Sequence, residues 1–218
     1  MDNKEIIGTT VTFVKKSLST AEGGHDWWHI YRVWKNAQHI ASKEGNVNTT
    51  IVELGALLHD IADSKFHNGD EEIGPKTARA FLIAQDVPEA VVHQVENIVR
   101  HISFKGSVEG QQWTSPELAI IQDADRLDAV GAIGIARTFS YGGHKGRALY
   151  DPHIKPNLAM TKSEYKINTA PSLNHFYEKL LLLKDLMNTN TGKEMAADRH
   201  DFMELYLAQF YAEWEGGL

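Results

Sequence analysis

Residues 53–63 read ELGALLHDIAD. Leu54, Leu57, Leu58 and Ile61 recur at the spacing of a buried helical face, yet His59, Asp60 and Asp63 crowd the last five positions. Polar groups buried without partners are expensive, so this stretch needs either a hydrogen-bond network or a cation. His59 and Asp63 stand four residues apart, and Asp60 and Asp63 three apart. On a helix running on to about Asp63, those three groups would lie within one turn. The bland reading is a helix end at which Asp63 acts as a cap and His59 is a hydrogen-bonded core histidine.

Working outward, the period of the apolar residues is helical almost throughout, so the chain is expected to be all-α. Helices are expected at about 2–19, 25–43, 49–63, 72–85 and 88–102. In the third of these, Thr50 and Glu53 have capping-box spacing. A long helix should begin at Ser115–Pro116 and carry SPELAIIQDADRLDAVGAIGIARTF, tolerating Gly131 and Gly134 where a neighbour approaches closely. Residues 141–171, rich in Gly, Pro and Lys, read as a lid-like loop. Two further helices are expected at about 172–187 and 192–215. No repeat or internal boundary is evident, so residues 1–218 are expected to form one helical domain.

Composition narrows the chemistry. The chain has 218 residues, a formal charge of −7, 11 histidines and no cysteine. The acidic balance argues against a nucleic-acid polymer as partner. The absence of cysteine removes thiolate metal sites and thiol nucleophiles. No stretch of about 18 apolar residues exists to span a membrane, and the first residues lack a signal-peptide order, so a cytoplasmic location is expected.

Two other segments repeat the anomaly of residues 53–63. HDWWHIYRVWKNA places His25, His29 and Arg32 on one helical stripe among aromatics. IIQDADRLDAV places Asp123, Asp125, Arg126 and Asp128 between apolar flanks. Each has a plain alternative: an aromatic-cluster histidine in the first, ion pairs with Arg126 in the second. Together, a histidine, a His-Asp pair and a further aspartate supply two nitrogens and at least two oxygens. That set suits one six-coordinate divalent ion (manganese, nickel, cobalt or iron, with magnesium also admissible) better than four-coordinate structural zinc.

The motifs GHDWWHIYRV, HDIADSKF followed by GDEE, HISFK, and DADRLDAVGAIGIAR occur in this order between about residues 20 and 150. In this the chain resembles the HD-domain phosphohydrolase superfamily, and within it the small bacterial single-domain members. The resemblance implies metal ligation by His29, His59, Asp60 and Asp125, with Asp125 chosen because the ligand directly precedes a basic residue, here Arg126. His25 has no ligand role in that pattern. The resemblance further implies hydrolysis of a nucleotide, specifically of a nucleoside triphosphate to monophosphate and pyrophosphate. The alternatives are a nucleotidase or phosphodiesterase, and a non-catalytic metal-bound sensor.

Asp63 is the expected proton acceptor, with Lys65 beside it. Arg32, His101, Lys105 and Arg126 would bind the phosphates, joined by Lys145 and Arg147 from the YGGHKGR loop, which also carries His144. Asp70, Glu71 and Glu72 either mark a helix N-terminus or reach the active-site water. A small-molecule nucleotide is the expected partner, and a homodimer is compatible with the chain. No chemistry is assigned to the last quarter of the sequence.

Overall fold

The computed structural model describes residues 2–19, 26–62, 70–102, 113–161, 164 and 167–217. Among these residues the regular structure is helical and no strand occurs, so the chain is all-α. It divides into two compact units, Met1–Asp125 and Arg126–Leu218. None of the described helices is long and apolar enough to cross a membrane.

In the first unit, α1 (Asn3–Ser17), α2 (Trp27–Glu44), α3 (Thr49–Leu58), α4 (Ile73–Ala84) and α5 (Glu89–His101) are followed by α6 (Pro116–Asp128), whose last three residues belong to the second unit. Side-chain caps start several of them, supplying acceptors to amides that have no helical partner. Asp2 Oδ1 accepts from Glu5 N at 2.7 Å, Asp26 Oδ1 from His29 N at 2.9 Å, and Ser115 Oγ from Leu118 N at 3.0 Å. The cap of α3 is Asn48, whose Oδ1 accepts from Thr50 N at 3.1 Å and Ile51 N at 3.3 Å. Glu53 is therefore no capping-box partner: its Oε2 accepts from Trp34 Nε1 at 2.8 Å and Gln38 Nε2 at 2.7 Å, tying α3 to α2.

The core of this unit lies around α3, which packs on α1, α2 and α5. Ile30, Val33 and Ile40 of α2, Leu54, Leu57 and Leu58 of α3, Leu82, Ile98 and Ile121 are all fully buried. Gly55 sits where the helices come closest. A Cβ there would stand 2.6 Å from Ile121 Cδ1 and 3.2 Å from Ile98 Cγ2, so α5 and α6 pack closely on α3 here and a larger residue would push the Ile121 side chain aside.

Three expected boundaries are corrected. Helix α3 stops at Leu58 rather than Asp63, and the chain tightens into a turn with Ile61 N donating to Leu58 O at 3.1 Å. The expected long helix is broken after Asp128. Gly131 has φ +73°, a left-handed conformation that L side chains rarely adopt, and α7 (Gly131–His144) starts there. Gly131 thus turns the chain, and it also lies close to a neighbouring helix, since a Cβ there would meet Arg199 Cγ at 3.0 Å and Arg199 Cβ at 3.1 Å. Ile133, early in α7, is 44% exposed. Helix α7 also runs to His144, so residues 141–144 are helical and not part of the loop.

The second unit contains α7, α8 (Asn174–Glu178), a 3₁₀ segment Leu180–Leu186 and the 25-residue α9 (Asn190–Trp214), capped by Thr189. Helix α9 packs on α7 through an aromatic cluster of Phe139, Phe176 and Tyr206, with Phe176 fully buried. Buried Asp128 is paired with Arg137, and Arg199 donates to Leu127 O.

Candidate metal centre

The first unit assembles the centre from three helices. Helix α2 supplies His29 in its first turn, where the Asp26 cap holds the backbone. The end of α3 supplies His59 and Asp60, and α6 supplies Asp125. The close approach at Gly55 lies one turn before His59, and the Ile121 it touches lies one turn before Asp125. The packing contact therefore sets two site-bearing turns at one level.

His29 Nε2 lies 3.5 Å from Asp125 Oδ1 and 3.9 Å from Asp60 Oδ2, and His59 Nε2 lies 4.0 Å from Asp125 Oδ1. The two imidazole rings meet edge to face with centroids 5.4 Å apart. The imidazole side chains are 3–4% exposed, whereas Asp60 is 22% and Asp125 41% exposed. The nitrogens form the floor and the carboxylates the rim, so a ligand approaches from the carboxylate side.

His59 explains both the end of α3 and the ring's orientation. Its Nδ1 lies 2.8 Å from Ala56 O, one of the carbonyls that a helix leaves open at its C-terminus. A carbonyl only accepts, so Nδ1 carries the proton and Nε2 presents a lone pair. That Nε2 is buried, and among the described residues it has no hydrogen-bond partner. An unsatisfied buried acceptor beside a second imidazole and two carboxylates is the arrangement a cation completes. The spacing agrees: two donors on one ion at about 2.0–2.2 Å stand at most about 4.4 Å apart. The residues present therefore fit a divalent metal held by nitrogen and oxygen, and it is Asp125 whose carboxylate meets the two imidazoles. Asp123, two residues earlier, is fully buried.

The other expected site residues fall into three groups. His25, Asp63, Lys65 and Lys105 lie outside the described residues. Arg32 and His101 belong to the first unit. His101 stacks on Trp113 with centroids 5.8 Å apart, and its backbone carbonyl accepts from the buried Gln122 of α6 at 3.3 Å. Burial, reinforced by the neighbouring Arg100 cation, holds its imidazole below the ordinary 6.5. At neutral pH it is a neutral hydrogen-bonding group rather than the cation expected. Arg126, Lys145 and Arg147 belong to the second unit. Arg126 Nη1 donates to Leu186 O at 2.7 Å, Arg147 donates to Asn168 O, and Lys145 and Arg147 both lie over the Tyr141 ring.

Sequence reasoning overlooked an ion-pair network behind His101. Arg100 bridges Glu72 and Glu96, each at 2.9 Å, while Arg79 holds Glu96 at 3.0 Å and Glu89 at 2.7 Å. Of the two readings of the acidic run, the helix N-terminus is the one seen: Glu72 precedes α4, and Asp70 Oδ1 accepts from Glu72 N at 2.9 Å. The signal available in the sequence was Arg100 adjoining His101 and spaced four residues from Glu96.

Comparison with known proteins agrees with this geometry. The sequence model of the HD domain matches residues 27–130. YpgQ of Bacillus subtilis is 35% identical over 217 residues, covering 94% of this chain and 92% of YpgQ. The crystal structure of an HD-superfamily hydrolase from Bacillus thuringiensis superposes with a TM-score of 0.79 at 46% identity, covering 98% of this chain and 99% of that one. B. subtilis YpgQ in complex with ADP superposes with a TM-score of 0.75 at 34% identity, covering 98% and 97%. With His29, His59 and Asp125 grouped in the matched region, the chain belongs to the HD-domain superfamily of metal-dependent phosphohydrolases.

Proposed function

We propose that the protein is a nucleotide pyrophosphohydrolase, which cleaves a nucleoside triphosphate at the α-phosphorus to give monophosphate and pyrophosphate. The observation that carries the reading is the buried Nε2 of His59, which has no hydrogen-bond partner among the described residues and lies 4.0 Å from Asp125 Oδ1 with the His29 ring beside it. The ADP complex of the similar YpgQ supports a nucleotide as the ligand.

A divalent ion bound here would lower the pKa of its water from 15.7 towards neutrality and offset phosphoryl charge. His29 and His59 hold the ligand set rigidly, one through the capped first turn of α2 and the other through Ala56 O. Asp63 takes the proton of the attacking water as the new P–O bond forms and the bond from the α-phosphorus to the bridging oxygen breaks. A base in that position contributes roughly 10²–10⁴ in rate. Lys65, Lys105 and Arg32 neutralise the phosphates, and the neutral His101 serves as a hydrogen-bond partner to them. Arg126, beside the expected ligand Asp125, and Arg147 are further phosphate partners in this reading, each also donating to a backbone carbonyl. Lys145 joins them as a phosphate partner in this reading.

The test is product analysis. Metal-free protein is reloaded with Mn, Co, Ni, Mg or Zn and given a panel of nucleoside mono-, di- and triphosphates. The expected result is monophosphate and pyrophosphate in equal amounts from triphosphates. Stepwise release of orthophosphate, or faster turnover of a monophosphate, would transfer the activity to a nucleotidase.

A further inference from the structure

Helix α2 carries four large aromatic residues around the ligand His29, and three of them have evident structural work. Trp27 has the Lys15 ammonium 4.7 Å above its ring, and Tyr31 and Trp34 share Lys35 at 5.7 and 4.7 Å. Trp34 also donates to Glu53. Trp28 differs. It is 61% exposed, and among the described residues no lysine or arginine covers its ring. What touches it is the edge of Tyr31, 5.9 Å away at an interplanar angle of 80°, which steadies the indole without covering both faces.

Its place on the helix connects it to the site. Successive residues turn by about 100°. Counting from Trp28, Arg32 therefore lies at about 40°, His29 at about 100° and Tyr31 at about −60°. Around a single turn the order is a buried imidazole, a half-buried guanidinium and then an exposed indole. This order follows the chemistry of a nucleotide, with the reacting phosphate at the imidazole, anionic oxygens at the guanidinium and an aromatic base beyond them.

We propose that Trp28 is the platform on which the base of the substrate stacks. The inference rests on the nucleotide reading above and deepens it. Every nucleobase has a π-face, so such a platform favours nucleotides over inorganic polyphosphates without choosing among bases. Tyr31 positions the indole, and the phosphates bind independently of it.

The test is calorimetric titration of the Mn²⁺-loaded protein with ADP and with inorganic pyrophosphate, for the wild type, Trp28→Ala and Trp28→Phe. Trp28 is exposed, so both variants should fold. Loss of one base–aromatic stack should weaken ADP binding in Trp28→Ala by about 5- to 100-fold, leave pyrophosphate binding within about twofold, and be largely restored in Trp28→Phe. An unchanged ADP affinity, or an equal loss for both ligands, overturns the platform and leaves the nucleotide reading standing. Wild-type protein binding ADP no better than pyrophosphate overturns both. Base-dependent binding combined with orthophosphate release overturns the pyrophosphohydrolase reading alone.

Discussion

Replacing His59 by Phe separates metal binding from folding, because the two should respond in different directions. The buried Nε2 of His59 has no hydrogen-bond partner among the described residues, and an unmet buried polar atom of this kind costs about 1–3 kcal/mol. Phenylalanine keeps a ring of similar size and removes that atom. It also removes the 2.8 Å bond from Nδ1 to Ala56 O, a net loss of about 1 kcal/mol. The metal-free variant should therefore be as stable as the wild type or up to about 2 kcal/mol more stable. Metal reverses the ranking. Binding to the folded state alone adds about 2.7 kcal/mol at a free concentration 100 times Kd. The wild type should gain that amount and His59→Phe close to none of it. Urea unfolding followed by circular dichroism, in EDTA and in saturating Mn²⁺, measures both differences. A variant that still gains more than about 2 kcal/mol from metal would show that His59 is not a ligand. A metal-free variant destabilised by more than about 2 kcal/mol would show that Nε2 is not unmet.

Asp125→Asn should weaken metal binding more than Asp123→Asn does, measured by elemental analysis after dialysis; the reverse order would move the ligand to Asp123. Asp63→Asn should keep the metal and lose roughly 10²–10⁴ in kcat, and a loss of only a few-fold would make Asp63 a structural residue. His175 has its pKa pushed down to about 4, first by burial and then by the Lys179 and Arg147 cations. A pKa below the unfolded value of 6.5 means that the unfolded chain takes up the proton first. Stability should therefore fall between pH 6.5 and 4, by about 3 kcal/mol in all, and His175→Phe should flatten the pH profile of urea unfolding in that window. An unchanged slope would refute the assignment. Gly131→Ala should lose about 1–2 kcal/mol from the left-handed backbone alone. Its Cβ would also meet Arg199 Cγ at 3.0 Å, so a neutral result in the same assay would contradict the turn described here.

The apolar period of the sequence was enough for the all-α class, because each helix buries one stripe and Leu54, Leu57 and Leu58 or Ile30, Val33 and Ile40 record that stripe directly. The grouping of His29, His59 and Asp125 was legible for a related reason: these polar residues interrupt apolar helical runs, and the order of the motifs identified the family. Helix ends and charge states were not legible, since distant partners set them. Helix α3 stops at Leu58, where the His59 ring turns back onto Ala56 O, so the expected helix does not carry on from His59 towards residue 63. Glu53 has the spacing of a cap, but Trp34 and Gln38 on a neighbouring helix claim its carboxylate. His101 looks cationic in a list of residues and is neutral in the fold, because burial and Arg100 oppose its proton. Gly131 reads as a tolerated helix residue until its φ of +73° shows a turn. Local pattern encodes which face is buried. Which acceptor a side chain meets, and how far water is excluded from it, depends on residues brought close only by the packing of other helices.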